Sequence, residues 1–351
     1  MPDDLKSRRL IRNTTQRRLR IAVALIAAVF STACAHQAAM TSAGPELADI
    51  IAHPSDTHKA STGTDRPLEV ASLLGVGLRR PFLDSVTAAA LERNLAMAAD
   101  SLQKNPATAD ALLWYGRRLG YLGRFREAID TFAVGIKRFP NDARFYRHRG
   151  QRYLTIRRPA LATSDFQKAA LLERGKPDAI EPDGAPNARN IPLTTLHFNI
   201  WYHLGVALYV RGDYGNAQAA FDSCARVSSN ADTRVATAYW RYLTLKREGK
   251  DADAKSALSI APETLDVIET GAYLKLLQLY AGQTTPEVLL PSRGADLKTA
   301  SDASTAYGVS MYYLFLGQKN IARDIWKRMM GTEVWPAFGV LAAEAELERL
   351  R

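Results

Sequence analysis

Cysteine, histidine and carboxylate chemistry is sparse in this chain, and its spacing works against a catalytic or metal site. The two cysteines among 351 residues are Cys34 and Cys224. Two such distant residues build neither a disulfide framework nor a zinc quartet. His197 and His203 are six residues apart and do not share a helix face. His53 and His58 stand in a Pro, Ser, Asp and Thr tract, whose composition favours a solvated linker over a ligand cluster. No HExxH, GxSxG, CxxC or phosphate-loop pattern occurs. Gly75-Val76-Gly77 lacks a third glycine and follows no convincing strand, and no pair of carboxylates stands out by spacing. No cofactor or metal is implied, and the chain reads as a binding protein, not an enzyme.

The elements that would position binding residues emerge when the chain is compared with itself. Trp201-x2-Leu204-Gly205-x2-Leu208 is followed by Ala217-x3-Phe221; the same frame gives Leu112, Tyr115, Gly116, Leu119, Ala128 and Phe132, closing at Pro140. A third copy runs through Tyr146, Gly150, Tyr153, Ala162 and Phe166. Ala128 and Ala162 are 34 residues apart, Ala162 and Ala217 are 55, and Ala254 and Ala322 are 68. These separations are one repeat, one repeat plus a 21-residue insertion, and two repeats. Each unit reads as two helices: an apolar stripe at helical spacing, a small Gly or Ala where the pair crosses, and Phe132, Phe166 and Phe221 filling the space between repeats. Gly123 and Gly212 supply turns. One such unit cannot bury its own apolar face, so neighbours stack into a solenoid whose ends need capping. Ala337–Leu350 suits a final covering helix with its charge outward, after a break at Trp335-Pro336.

This pattern resembles the tetratricopeptide (TPR) family over most of residues 84–340. The resemblance implies an all-α fold, a helical-hairpin solenoid coiled as a right-handed superhelix. It also implies a partner groove on the concave face, lined by the first helix of each pair. Carried onto this chain, the groove positions include Arg117, Tyr121, Arg144, Arg147, Gln151, Asn199, Tyr202, Tyr209 and Tyr239. Arginine with tyrosine offers large contact at modest ordering cost, which suits an extended protein or peptide segment of acidic or aromatic character. The competing reading is a merely solvated or self-packed inner wall. The chaperone-binding subclass of the family is not supported, because Leu113 and Arg117 stand where a Lys and an Asn are expected.

The insertion Lys176–Leu196 is rich in Pro and Asx residues and predicts turns, not helix. It is read first as a structural clasp held by Arg147-His148-Arg149, and alternatively as a small-molecule or enzymatic site with Asp183, Asn187 and Asn190 beside the groove. Cys224, one turn beyond Phe221, is expected to be a small buried hydrophobe.

Charge and the N-terminus bound the setting. Of the net +10, residues 1–33 contribute +5 through seven Lys/Arg and two Asp/Glu. No dense basic tract follows Arg20, so a nucleic-acid footprint is not expected. A basic head, the apolar run Ile21–Phe30 and the small residues Ser31-Thr32-Ala33 form an export-signal pattern. Its apolar part is about 10–15 residues, short of the roughly 20 that span a bilayer. Cys34 after these small residues resembles the lipobox of bacterial lipoproteins, departing from it at Ser31, where Leu is usual. That resemblance implies acylation at Cys34 and, with Ala35 next, residence in the cell envelope at the periplasmic face of the outer membrane. The expected organisation is an export signal (1–33), the anchor cysteine with a flexible, disordered linker (34–66) and a leading helix or degenerate repeat (67–108). Repeats one and two (109–174), the insertion loop (175–197) and repeats three and four (198–268) follow. A degenerate repeat (269–302) precedes the last repeat with its capping helix (303–351).

Overall fold

The computed structural model describes residues 65–260, 265–291 and 296–351. The export signal, Cys34 and all of the expected linker up to residue 64 lie outside the described residues; the last linker residue, Arg66, pairs with Glu333.

The described chain opens with a short antiparallel hairpin, β1 (Leu68–Ala71) and β2 (Gly77–Arg79), pairing Val70 with Leu78. Gly75 turns it at φ +85°. The glycine tract without a convincing strand is therefore a strand turn, and this hairpin is a two-stranded departure from a mainly helical fold. Helix α1 (Ser85–Lys104) follows, its start capped by the Asp84 carboxylate, which accepts from the Val86 and Thr87 amides.

Antiparallel helix pairs then succeed one another: α2 (Ala109–Tyr121) with α3 (Phe125–Arg138), α4 (Ala143–Thr155) with α5 (Pro159–Leu172), α6 (Leu196–Val210) with α7 (Tyr214–Val227), and α8 (Ala231–Arg247) with the short α9 (Asp251–Ala257). Shorter helices α10 (Gly271–Tyr280) and α11 (Pro286–Leu289) come next, then the pair α12 (Ala300–Phe315) and α13 (Lys319–Met329) and the final helix α14 (Phe338–Glu348). From α1 to α9 and again from α11 to α14 each helix packs on the next, and alternate helices touch along the array. This is an all-α helical-hairpin solenoid.

One contact recurs and explains the 34-residue frame. A Cβ on Gly116 would stand 2.5 Å from the Phe132 ring, on Gly150 3.0 Å from Phe166, and on Gly205 2.5 Å from Phe221. Glycine on the first helix thus seats the phenylalanine of the second. The same rings reach forward: Phe132 stacks on His148 and Phe166 on His203, with centroids 5.6 and 5.7 Å apart. Phe132 and Phe166 therefore each close their own pair and join it to the next. Cys224 is fully buried beside Thr237 and Ser228, and burial pushes its thiol up to about 12. It is an inert packing residue.

The end of the chain departs from the expected cap. Helix α14 is buried almost all round, and Glu344 and Glu346 point inward instead of outward. The helix folds back over α6, α12 and α13. Gly339 comes so close to the Ala303 backbone that a Cβ would collide. Phe338 packs edge-on against His203. Glu346 pairs with Arg247, and Arg349 donates to the Tyr209 and Val210 carbonyls. The inward carboxylates are tolerable because each meets a guanidinium; alone, either would be prohibitively costly to bury.

Candidate functional site

Between α5 and α6 the insertion folds into an ordered loop. Its two ends pair: Ile180 bridges Thr195, and the Glu181 amide donates to the Thr194 carbonyl. The tip lies across the first helices. Arg117 Nη2 donates to the Pro182 carbonyl (2.7 Å) and Arg118 Nη1 to the Gly184 carbonyl (2.9 Å). Gly184 rests on the Tyr121 ring so closely that any side chain there would collide. The far side is tied by Arg189 to Asp266, by Asn187 Nδ2 to Glu269, and by Asn230 Nδ2 to the Leu193 carbonyl. The 265–270 segment is itself held by Asp232, whose carboxylate accepts from the Ile268, Glu269 and Thr270 amides.

Under this loop lies a cavity of about 170 Å³, walled by Gly116, Arg117, Gly120, Tyr121, Phe132, Arg147, His148, Gln151, Arg152, Asn199 and the loop residues Glu181, Pro182, Asp183, Leu193 and Thr194, with Glu269 at its edge. Glycines 116 and 120 leave the space that α2 would otherwise fill. Glu181 enters from the loop: one oxygen stands 3.0 Å from Arg147 Nε, the other 3.4 Å from His148 Nε2, and Asn199 Nδ2 donates to it at 3.2 Å. Arg147 Nη1 reaches Gln151 Oε1 (2.7 Å) and His148 Nδ1 (2.9 Å). The neutral histidine that accepts at Nδ1 carries its proton on Nε2, toward Glu181; this tautomer is assigned from the contacts.

Charge in this cavity is unbalanced. Arg117, Arg147 and Arg152 line it, and Glu181 is the one carboxylate buried among them. Burial, with Arg147, Arg117 and Arg152 nearby, holds His148 well below the ordinary histidine value. Burial and Arg147 bring His203, behind it, to about 3. Arg147 is lowered by burial, which outweighs the opposing pull of Glu181, and Arg152 is brought down to about 10 by burial and by Arg147 and Arg117. Arg152 reaches only the Gly120 carbonyl, at 3.5 Å, and the Phe125 ring among the described residues.

The nine groove positions and three loop positions fall into separate places. Arg117, Tyr121, Arg147, Gln151, Asn199 and Asp183 come together around the cavity, so half of the residues from two candidate sites share one site. Arg144 stands apart, paired with Asp142 and Asp110. Asn187 and Asn190 shape the loop: Asn187 accepts from the Arg189 amide and Asn190 takes φ +51°. Tyr202, Tyr209 and Tyr239 are buried in an aromatic cluster, where Trp240 Nε1 donates to the Tyr202 hydroxyl, Tyr209 and Tyr307 share a 2.9 Å hydrogen bond, and Tyr239 stacks on Tyr273. Burial raises all three phenols above the usual value. Of the basic tract expected to hold the loop, Arg147 and His148 meet Glu181, while Arg149 turns away to Asp165.

No family model and no curated protein matches this chain. Among solved structures, YrrB, described as a TPR protein with an unusual peptide-binding site, is 13% identical. The match covers 66% of this chain and 89% of that one, with a TM-score of 0.38.

Two important residues escaped the sequence reading. Arg152 follows Gln151 on the same helix and lies four residues after His148, a same-face spacing. Arg157 stands 34 residues after Gly123, at the turn position that glycine holds in the other long pairs.

Proposed function

We propose that this chain is a non-catalytic interaction scaffold of the bacterial cell envelope. In this reading it is exported, held by acyl chains on Cys34 at the periplasmic face of the outer membrane, and engages a protein or peptide segment rather than nucleic acid. The partner is engaged over the front half of the inner face, where α2, α4, α6 and the insertion loop converge.

The observation that carries this reading is the division of that face. Its rear half is closed by the chain's own α14 and the tyrosine cluster, where Tyr209 pairs with Tyr307, Trp240 with Tyr202 and Arg247 with Glu346, while the Tyr214 and Tyr239 hydroxyls are buried without a hydrogen-bond partner. The front half keeps Nε groups of Arg117 and Arg147 that are buried without a hydrogen-bond partner. Buried polar groups in folded proteins are nearly always bonded; among the described residues the other orphans are on Glu69, His197, Tyr214, Tyr239 and Glu248, whereas these two are cationic and wall one cavity.

A photo-reactive residue at Gln151 or Asp183, introduced in cells, should yield a discrete protein adduct that Arg118→Ala weakens. Identical adducts from a probe at Trp201, or adducts indifferent to Arg118→Ala, would overturn the reading. Palmitate labelling that persists in Cys34→Ser would remove the anchor.

A further inference from the structure

The geometry points to the cavity beneath the insertion loop as a binding site for a small free oxyanion, a carboxylate or phosphate on a low-molecular-weight ligand.

Three observations converge. First, the site is built from charge that the described chain does not balance. The guanidinium groups of Arg117, Arg147 and Arg152 surround a cavity into which one carboxylate, that of Glu181, projects. Asp183 and Glu269 stand at its exposed rim and Glu269 is already engaged by Asn187. Three guanidinium groups therefore face one buried carboxylate, while the two other carboxylates of the lining meet solvent, where their charge is screened.

Second, specific donors are unused. Arg117 and Arg147 are only 8% and 6% exposed, and the Nε of each lacks a hydrogen-bond partner. Arg147 Nε lies 3.0 Å from Glu181, yet its N–H is not aligned on that oxygen. Arg117 Nη2 is committed sideways to Tyr121 and Pro182, and Arg147 Nη1 to Gln151 and His148, which holds both guanidinium planes in place. A planar fork held in place is the arrangement that matches carboxylate and phosphate oxygens with least ordering cost.

Third, size excludes a chain segment. A cavity of about 170 Å³ is close to the roughly 150 Å³ that holds one benzene, and is below the several hundred that drug-sized ligands need. The roof is pinned by the carbonyl contacts of Pro182 and Gly184 to Arg117 and Arg118. A handful of heavy atoms fits, whereas an extended peptide does not. The bound oxyanion would neutralise the guanidinium groups under the loop and so stiffen the surface that the proposed scaffold presents. The site takes up the same Arg117 and Arg147 Nε groups that support the scaffold reading, with the ion inside the cavity and the protein segment on the loop and helix surface outside it.

Thermal unfolding and calorimetric titration of the full chain test this, with phosphate, malonate and a hexaglutamate peptide added at constant ionic strength against a chloride control. Phosphate or malonate should raise the unfolding temperature saturably; whichever does so identifies the oxyanion class. Arg152→Gln, which removes no internal ion pair, should weaken binding by about tenfold or more, the loss expected for a charged hydrogen bond. Glu181→Gln keeps the shape, removes the competing charge, and should tighten binding, an effect that a purely structural role would not produce. Shifts that merely follow ionic strength, or binding unchanged in both variants, would overturn the site. So would binding of hexaglutamate alone, which would leave the scaffold reading standing.

Discussion

Arg157 and Glu344 are 187 residues apart in sequence, yet their side chains meet at 2.6 Å with about 1–2% of either exposed. Arg157 occupies the turn between α4 and α5 at φ +60°, where Gly123, Gly212, Gly249 and Gly317 hold the corresponding turns. A non-glycine residue in this region is strained by roughly 1 kcal/mol or more. The strain is offset by what the guanidinium does: it bonds both Glu344 oxygens and the Trp335 and Thr155 carbonyls, and lies over the Trp335 ring. The same carboxylate accepts from the Leu73 amide, so one ion pair ties the β-hairpin, the second helix pair and the final helix together.

Removing one partner of this pair should be costly. Glu344→Ala leaves a buried guanidinium uncompensated and is expected to destabilise by about 3–5 kcal/mol. Arg157→Gly should cost less than Arg157→Ala, because glycine relieves the positive φ. Urea unfolding of the three variants checks the order, and an Arg157→Gly as damaging as Arg157→Ala would show that the turn is not strained.

The glycine–phenylalanine seats predict a graded series. Gly205→Ala and Gly116→Ala place a methyl 2.5 Å from a ring, whereas Gly150→Ala meets its ring at 3.0 Å. Overpacking of this kind costs typically about 1–3 kcal/mol, so the first two should destabilise clearly and the third mildly. Phe221→Leu combined with Gly205→Ala should recover part of the loss. Denaturation midpoints decide, and equal effects at all three glycines would refute the seating.

Acid should weaken the fold before its carboxylates titrate. His203 is neutral in the folded chain down to about 3, and His148 is held well below its ordinary value, both chiefly by burial. Unfolding lets each take up a proton below about 6.5. Stability from these groups is therefore complete above that pH and is lost as pH falls toward their folded values, by up to about 1.4 kcal/mol per pH unit for each histidine. Urea midpoints should drop between pH 7 and 5, and His203→Gln should flatten the slope by about half of the histidine contribution. A slope unchanged by His203→Gln would contradict this assignment.

Asp232 predicts the fate of the loop's far anchor. Its carboxylate gathers three consecutive amides and the Thr270 hydroxyl. Asp232→Ala should free residues 265–270 and, through Asn187 and Arg189, loosen the insertion loop. Faster amide exchange at 187–191 without loss of the helices is the expected result; unchanged exchange would show that the anchor is dispensable.

The helical pairs were legible because stacking repeats impose the same packing problem every 34 residues, and Gly116, Phe132 and their counterparts answer it with residue types that few other sites require. The β-hairpin was not, since Leu68–Ala71 is four residues long and its turn glycines resemble a failed nucleotide loop. The orientation of α14 was hidden for a related reason. Glu344 and Glu346 read as surface residues unless their partners, Arg157 and Arg247, are known, and those lie far away in sequence. Arg117, Arg147 and Asn199 were visible as a face, but the loop that roofs them carries no periodicity from which its path could be read. The tyrosines looked adhesive, but the buried cluster shows that the same amphipathic rings serve equally as core, Tyr202 and Tyr209 with a hydroxyl partner and Tyr239 by stacking.

The most direct measurement is a crystal structure of the full chain grown with selenate, whose anomalous scattering locates an oxyanion without ambiguity. A peak is expected beneath the insertion loop, within hydrogen-bond reach of the Nε groups of Arg117 and Arg147 and beside Arg152, with α14 still latched by Arg157 and Glu344. A cavity without the peak, its three guanidinium groups turned outward or paired with other carboxylates, would contradict it.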